Sequence, residues 1–338
     1  MKSLNTYITE GGFFGNIGAG KEEVTKGRLY DWLWNAHVIK GSKSIDEMIK
    51  IDRNGNVYIQ GSQDNFWYYD LDTITFDDKP ESFPDGKFPD FVKIVNCPSL
   101  SASRCGLVSL ENIPQVHGSL IVTDNKLKSF DGCPLTSIEL AYDRGNASLC
   151  INNNDFETLD GCPGCNWLAA RNNPHLTTIG KMAKKKAMIH VDIANCALKN
   201  LIGLPPIYKK SGTIYLHGNK DLDLFTGDGI KALLGKADTL MRLTIDADCL
   251  KGVSGDEWTK ALGNDCFIRT LSVKNCDDAF VTSSEFQSLV RAMKGMYKNS
   301  NSVKINLELD YGNNKCADAK EISQMYSQIG GVRICKFT

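Results

Sequence analysis

GSLIVTDNKLKSFDGCP at residues 118–134 and ASLCINNNDFETLDGCP at residues 147–163 are two copies of one pattern. Aligned end to end they share Ser, Leu, Asn and the closing Asp-Gly-Cys-Pro, and every apolar position stays apolar. A unit this short cannot bury its apolar face alone. Stacked copies are needed to build a continuous core, so the period predicts an array that presents a surface.

From about residue 89 the period can be registered on an Asn or Cys that follows each strand by a short turn. It falls at Cys105, Asn125, Asn154, Asn173, Cys196 and Asn219, with steps of 20, 29, 19, 23 and 23 residues. An interior Asn at this place satisfies backbone groups that the turn leaves unpaired, and Cys is a smaller, weaker substitute. The inward strand pairs are Leu100/Ala102, Leu120/Val122, Leu149/Ile151, Leu168/Ala170, Val191/Ile193 and Ile214/Leu216. The long step holds the insertion LTSIELAYDRGN at residues 135–146, where Ile138 and Leu140 supply an extra or longer coil. The pattern reads as a leucine-rich repeat. The fold class expected is α/β: a leucine-rich repeat solenoid with a parallel β-sheet, a helical N-terminal cap and α/β C-terminal coils.

Residues 1–51 read as the helical cap or leader. Ser3 to Glu10 and about Lys21 to His37 are its helices, and Trp32, Leu33, Trp34 and Val38 cover the open apolar end of the array. Residues 52–88 read as irregular first strands, with NVYIQ and DTITF as the β-rich segments. Residues 89–226 hold the short coils. In residues 227–338 the strand-like RLTIDAD, RTLSVKN, VKINLEL and VRICKF alternate with the helical GDEWTKAL, SSEFQSLVRAMKGMY and ADAKEISQMYSQ. Either the same sheet continues there with true helices on its other side, or a separate small α/β domain begins.

Composition narrows the function classes. With 42% apolar and 23% charged residues over 338 positions, the chain has enough material for a large core. The formal net charge of −1 removes the global basic field that non-specific nucleic-acid or acidic-membrane binding needs. No run is long enough to span a membrane, and MKSLNTYITEGGFF lacks the order of a secretory signal, so a cytoplasmic location is expected. The twelve cysteines fit buried small residues better than disulfides, because Cys133 and Cys162 share one repeat position and Cys105 and Cys196 stand on the Asn ladder.

The repeats and the run Cys105-Gly106-Leu107-Val108-Ser109-Leu110-Glu111-Asn112-Ile113-Pro114 resemble leucine-rich repeat proteins encoded by tailed bacteriophages and some bacteria. The head does so too, in MKSLNTYITEG, in GAGK at residues 18–21 and in IDRNGNVYI. The resemblance covers about the first two thirds of the chain. It implies the fold and a viral origin, with no uniform activity. The start MKSLNTYITE is also similar to the capsid-targeting leader of internal head proteins in T-even-type phages. That likeness implies cleavage after Glu10, with Gly11 as the new N-terminus.

Other motifs weigh toward bland readings. GNIGAGK at residues 15–21 has P-loop spacing, but Glu22 follows the lysine where Ser or Thr must hold magnesium, so a joint is favoured. Cys162 and Cys165 form a lone CxxC without a second ligand pair. Cys276-Asp277-Asp278 matches the Cys-x-Asp of bacterial effector ubiquitin ligases, yet Cys276 follows a strand where a repeat Cys belongs. Asp52, Asn54 and Asn56 open like a calcium loop, but Val57 and Gln63 stand where Gly and Glu are needed. Lys184, Lys185 and Lys186 read as a solvated corner. No cofactor, metal site or catalytic constellation is expected.

Alternation leaves Arg104, Thr123, Asp124, Asn152, Arg171, Asp192, Tyr215 and His217 as the outward, concave-face binding candidates, with Asp192 placed to orient Arg171. The later strands add Thr244, Asp246, Ser272 and Lys274. The expected function is non-enzymatic binding of a protein partner, a host factor or a virion component, in the host cytoplasm or the virion. A structural or packaged virion protein and an enzyme housed in the C-terminal α/β region are the alternatives. No nucleic acid or membrane is expected as a partner.

Overall fold

The computed structural model describes residues 21–35, 49–51, 57–59, 73–97, 99–138, 147–183, 187–207, 210–234, 239–262, 267–296, 305–329 and 331–335. The chain forms two compact units, Met1–Asn154 and Asp155–Thr338. In each, the principal sheet is parallel and open, and the fold is α/β with few helices.

The first unit contains helix α1 (Lys21–Asn35) and strands β1 (Ile49–Ile51), β2 (Val57–Ile59), β3 (Thr73–Thr75), β4 (Val95–Cys97), β5 (Ser99–Ser101), β6 (Gln115–Val116), β7 (Ser119–Ile121) and β8 (Ser148–Cys150). Strands β3, β5, β7 and β8 form a parallel row in which Ile74 pairs with Leu100, Leu100 with Leu120 and Leu120 with Leu149. The three leucines are fully buried, each contributing about 2 kcal/mol of apolar burial. A smaller sheet sets β1 antiparallel to β2 and runs on in parallel through β4 to β6. Strand β1 lies at the end of the segment read as the helical cap, where alternating Ile49 and Ile51 give a strand period.

Helix α1 buries Leu29, Trp32 and Leu33, three residues spaced to share one face. Trp32 stacks on Phe76 at 4.2 Å, meets Phe83 and Phe91 edge-on, and donates its indole N–H to Ser82 O at 2.8 Å. The helix therefore closes over the first coil through aromatic contact.

In the second unit come β9 (Trp167–Ala169), β10 (His190–Asp192), β11 (Lys210–Tyr215), α2 (Gly229–Leu234), β12 (Thr239–Asp246), α3 (Gly255–Leu262), β13 (Phe267–Ile268), β14 (Thr270–Lys274), α4 (Asp278–Thr282), α5 (Ser284–Met296), β15 (Asn306–Asp310), α6 (Ala319–Met325) and β16 (Val332–Cys335). Strands β9 to β12, β14, β15 and β16 pair in parallel in chain order, and β13 adds a short parallel pairing to β12. The sheet thus runs from the short coils into the helix-bearing segment without a break at β11 and β12. Helix α5 buries Phe286, Leu289, Val290 and Met293 at helical spacing. Helix α3 is capped by a reciprocal pair, Glu257 N–H to Ser254 Oγ at 3.2 Å and Ser254 N–H to Glu257 Oε2 at 2.7 Å.

The Asn positions form an internal spine. Asn125 Oδ1 accepts the N–H groups of Cys105 and Leu107, both at 3.0 Å, while its Nδ2 donates to Ala102 O and Thr123 O. Asn154 accepts from Leu127 N–H, Asn173 from Phe156 N–H and Asn219 from Leu198 N–H. Where Cys stands instead, a single thiol donates: Cys105 Sγ to Phe76 O at 3.1 Å and Cys196 Sγ to Ala170 O at 3.3 Å. The residue before each spine position has a left-handed backbone: Arg104, Asp124, Asn153, Asn172, Asn195 and Gly218. The turn there explains why those positions favour Asn, Asp or Gly.

Candidate binding face

Opposite the buried leucines, the strands expose a second set of rows. In the first unit one row reads Thr75, Ser101, Ile121 and Cys150. Arg104 and Asp124 lie just past their strands, in the left-handed turn, and are tied to their neighbours. Arg104 makes a two-pronged pair with Asp78 at 2.6 and 2.8 Å, and Asp124 Oδ1 accepts Asn153 Nδ2 at 2.7 Å. Arg104 beside Asp78 holds that carboxyl below its ordinary range. Thr123 Oγ1 donates to Ser103 Oγ, and Asn152 Nδ2 contacts Cys150 Sγ at 3.3 Å. This face is small and hydroxyl-rich, with Ser99, Ser101 and Ser103 buried.

The second unit carries the chemically dense face. Strand register sets Trp167, His190, Thr213 and Arg242 in one row and Ala169, Asp192, Tyr215, Thr244, Ser272, Glu308 and Arg333 in the next. Trp167 and His190 stack at 4.0 Å with their planes 16° apart, and His190 leans on Tyr215 at 5.6 Å. His190 Nδ1 and Thr213 Oγ1 share a hydrogen bond of 2.6 Å. Arg171 donates to Asp192 through two contacts of 2.5 and 3.3 Å. Arg242 reaches across the intervening strand β14 to Glu308, 2.6 and 3.0 Å away. Lys274 pairs with Asp310 at 2.6 Å. Asp246 accepts from Asn275 Nδ2 at 2.7 Å and from Gly218 N–H.

Four of the eight sequence candidates, Arg171, Asp192, Tyr215 and His217, thus share this unit. Trp167, His190, Arg242, Glu308 and Asp310 belong to the same face and were missed. Extending the alternation one step back along each strand finds the first three; Glu308 and Asp310 needed the register of β15.

Burial shapes titration here. It pushes His190 and His217 below 6.5, against Asp192 at His190 and Asp246 at His217. Burial also raises Asp246 above 3.8, against the hydrogen bonds from Gly218 and Asn275. The Arg242 hydrogen bonds lower Glu308. Thr244 Oγ1 and His217 Nδ1 are buried without a hydrogen-bond partner among the described residues, a cost of about 1–3 kcal/mol each.

The remaining motifs resolve into structure where they are described. Cys162 and Cys165 are both fully buried, and no group of metal-holding residues occurs among the described residues. Cys276 is fully buried, donates to Val273 O, and burial pushes its thiol up to about 12. Asp277 caps α4 through Phe280 N–H, and Asp278 accepts Ala317 N–H. One oxygen of each carboxylate in the Cys-Asp-Asp run is thus engaged by a backbone N–H. Glu10 and Gly11, the phosphate-loop-like glycines, the Asp52, Asn54 and Asn56 turn, Leu140 and Lys184–186 lie outside the described residues. No described helix is long and apolar enough to cross a membrane. No family model matches the chain, and neither a curated protein nor a solved structure matches it.

Proposed function

We propose that the chain is a phage-type leucine-rich repeat solenoid, non-enzymatic, that binds a protein partner through the outer face of its sheet. The partner is a host factor or a virion component, met in the host cytoplasm or in the virion. One observation carries the reading: Arg171 and Tyr215, residue types that anchor protein interfaces, stand half-buried with Trp167 and His190 on the sheet face opposite Leu168 and Val191. Asp192 fixes the Arg171 guanidinium, and the ring stack limits Tyr215. Less side-chain entropy is then lost when a partner docks.

Arg171→Ala and Tyr215→Ala test this. Partners are captured from host lysate and from purified virions with the full chain, and each affinity is then measured with the variants. A loss of about 2 kcal/mol or more in either variant is expected for a central anchor. Unchanged affinity for every captured partner in both variants removes the outer face from the function.

A further inference from the structure

The outer face of the second unit sorts its charges by depth. Side-chain exposure is 42% for Arg171 against 10% for Asp192, 31% for Arg242 against 21% for Glu308, and 30% for Lys274 against 5% for Asp310. In all three pairs the cation is outermost and the carboxylate lies beneath it. In the first unit the order is mixed: Arg104, 53% exposed, lies beneath Asp78 at 63% but above Asp124 at 39%. An approaching molecule therefore meets hydrogen-bond donors on the second unit, although its formal charges nearly cancel.

We propose that this face receives an acidic polypeptide segment of a partner protein, whose carboxylates engage Arg171, Arg242 and Lys274. The proposal rests on the reading of the outer face as the binding face and adds the chemistry of the occupant. Guanidinium groups take carboxylates in two-pronged, charge-assisted bonds. Pairing with Glu308 occupies two of the five N–H donors of Arg242. Pairing with Asp192, Glu308 and Asp310 holds the cations in place, so an incoming carboxylate finds them already positioned. The Trp167, His190 and Tyr215 rings offer apolar surface for the rest of such a segment.

The test uses the full chain and fluorescein-labelled poly-L-glutamate, read by anisotropy at low salt, with poly-L-lysine and oligothymidylate as comparison probes. Arg171→Gln/Arg242→Gln/Lys274→Gln is compared with Lys128→Gln/Lys199→Gln/Lys220→Gln, which removes the same charge at exposed positions elsewhere. Poly-L-glutamate affinity is expected to fall about tenfold or more in the first triple variant and to hold in the second. Because each of these substitutions strands its paired acid, Arg171→Gln/Asp192→Asn, which removes one pair together, is measured too, with circular dichroism to confirm folding; a smaller loss in the same direction is expected. Equal losses in the two triple variants overturn the proposal, as does oligothymidylate binding as tightly with the same sensitivity. A captured partner separates this failure from failure of the broader reading. If Tyr215→Ala releases the partner but poly-L-glutamate does not compete for it, the acidic occupant is wrong and the binding face stands. If neither Tyr215→Ala nor Arg171→Ala weakens the partner, the face itself is wrong.

Discussion

At the scale of single residues, the Asn and Cys of the spine do unequal work. Asn219 is fully buried, and its side chain accepts Leu198 N–H at 2.9 Å while donating to Ile193 O and Leu216 O, both at 2.7 Å. Removing it strands one buried N–H and two carbonyls. Cys196 is also buried but gives only weak thiol contacts to Ala170 O and Ala194 O. Asn219→Ala is therefore expected to cost about 3 kcal/mol and Cys196→Ala about 1 kcal/mol, read from urea unfolding midpoints. Equal losses would mean that the amide bonds do not hold the coils together.

At the scale of elements, the turns that follow the spine depend on a positive φ. Cys133 N–H reaches back to Phe130 O, Cys162 N–H to Leu159 O and Leu204 N–H to Leu201 O. The third residue of each turn is Gly132, Gly161 or Gly203, with φ of 75°, 75° and 102°. Gly132 and Gly161 are the glycines of the repeated Asp-Gly and Gly203 follows Ile202, each in the place where a type II turn demands glycine. Its neighbours differ between coils. A Cβ on Gly132 would meet nothing nearer than Glu111 Cβ at 3.7 Å, whereas one on Gly203 would sit 2.2 Å from Gly180 O. Gly132→Ala is expected to cost about 1 kcal/mol, from backbone strain alone, and Gly203→Ala about 3 kcal/mol or more. Denaturant melts of the two variants check the order, and a smaller loss at Gly203 would show that the coils can shift apart.

At the scale of the whole molecule, the buried imidazoles set a direction for stability against pH. His190 and His217 are held below 6.5, so under pH 6.5 the unfolded chain binds more protons than the folded one. Their contribution to stability therefore falls as pH drops from 6.5 through the lowered folded values. Asp246, raised above 3.8, acts with the opposite sign: its contribution is lost as pH climbs from 3.8 through its folded value. The histidine effect is expected to appear as a melting temperature that falls between pH 7.5 and pH 5.5, and His190→Gln/His217→Gln should flatten that slope. An unchanged slope in the double variant would assign the dependence elsewhere. Most of the scaffold was legible in the residues themselves. Asn and Cys at a steady step, and the alternation of Leu100, Ala102, Leu120 and Val122, mark which side chains go inward, because local period and turn chemistry do not depend on distant contacts. The fate of Cys276 as a buried strand-end thiol was legible for the same reason. Neither the aromatic stack of Trp167 on His190 nor the reach of Arg242 over β14 to Glu308 was legible, since both depend on the register between strands 23 and 66 residues apart. The depth order of cation above carboxylate likewise exists only once neighbouring strands are side by side. Residue order and turn chemistry alone carried the parallel α/β sheet and its line of Asn and Cys; which charges face outward emerged only from the folded arrangement, because burial is a property of neighbours that the chain brings together only on folding.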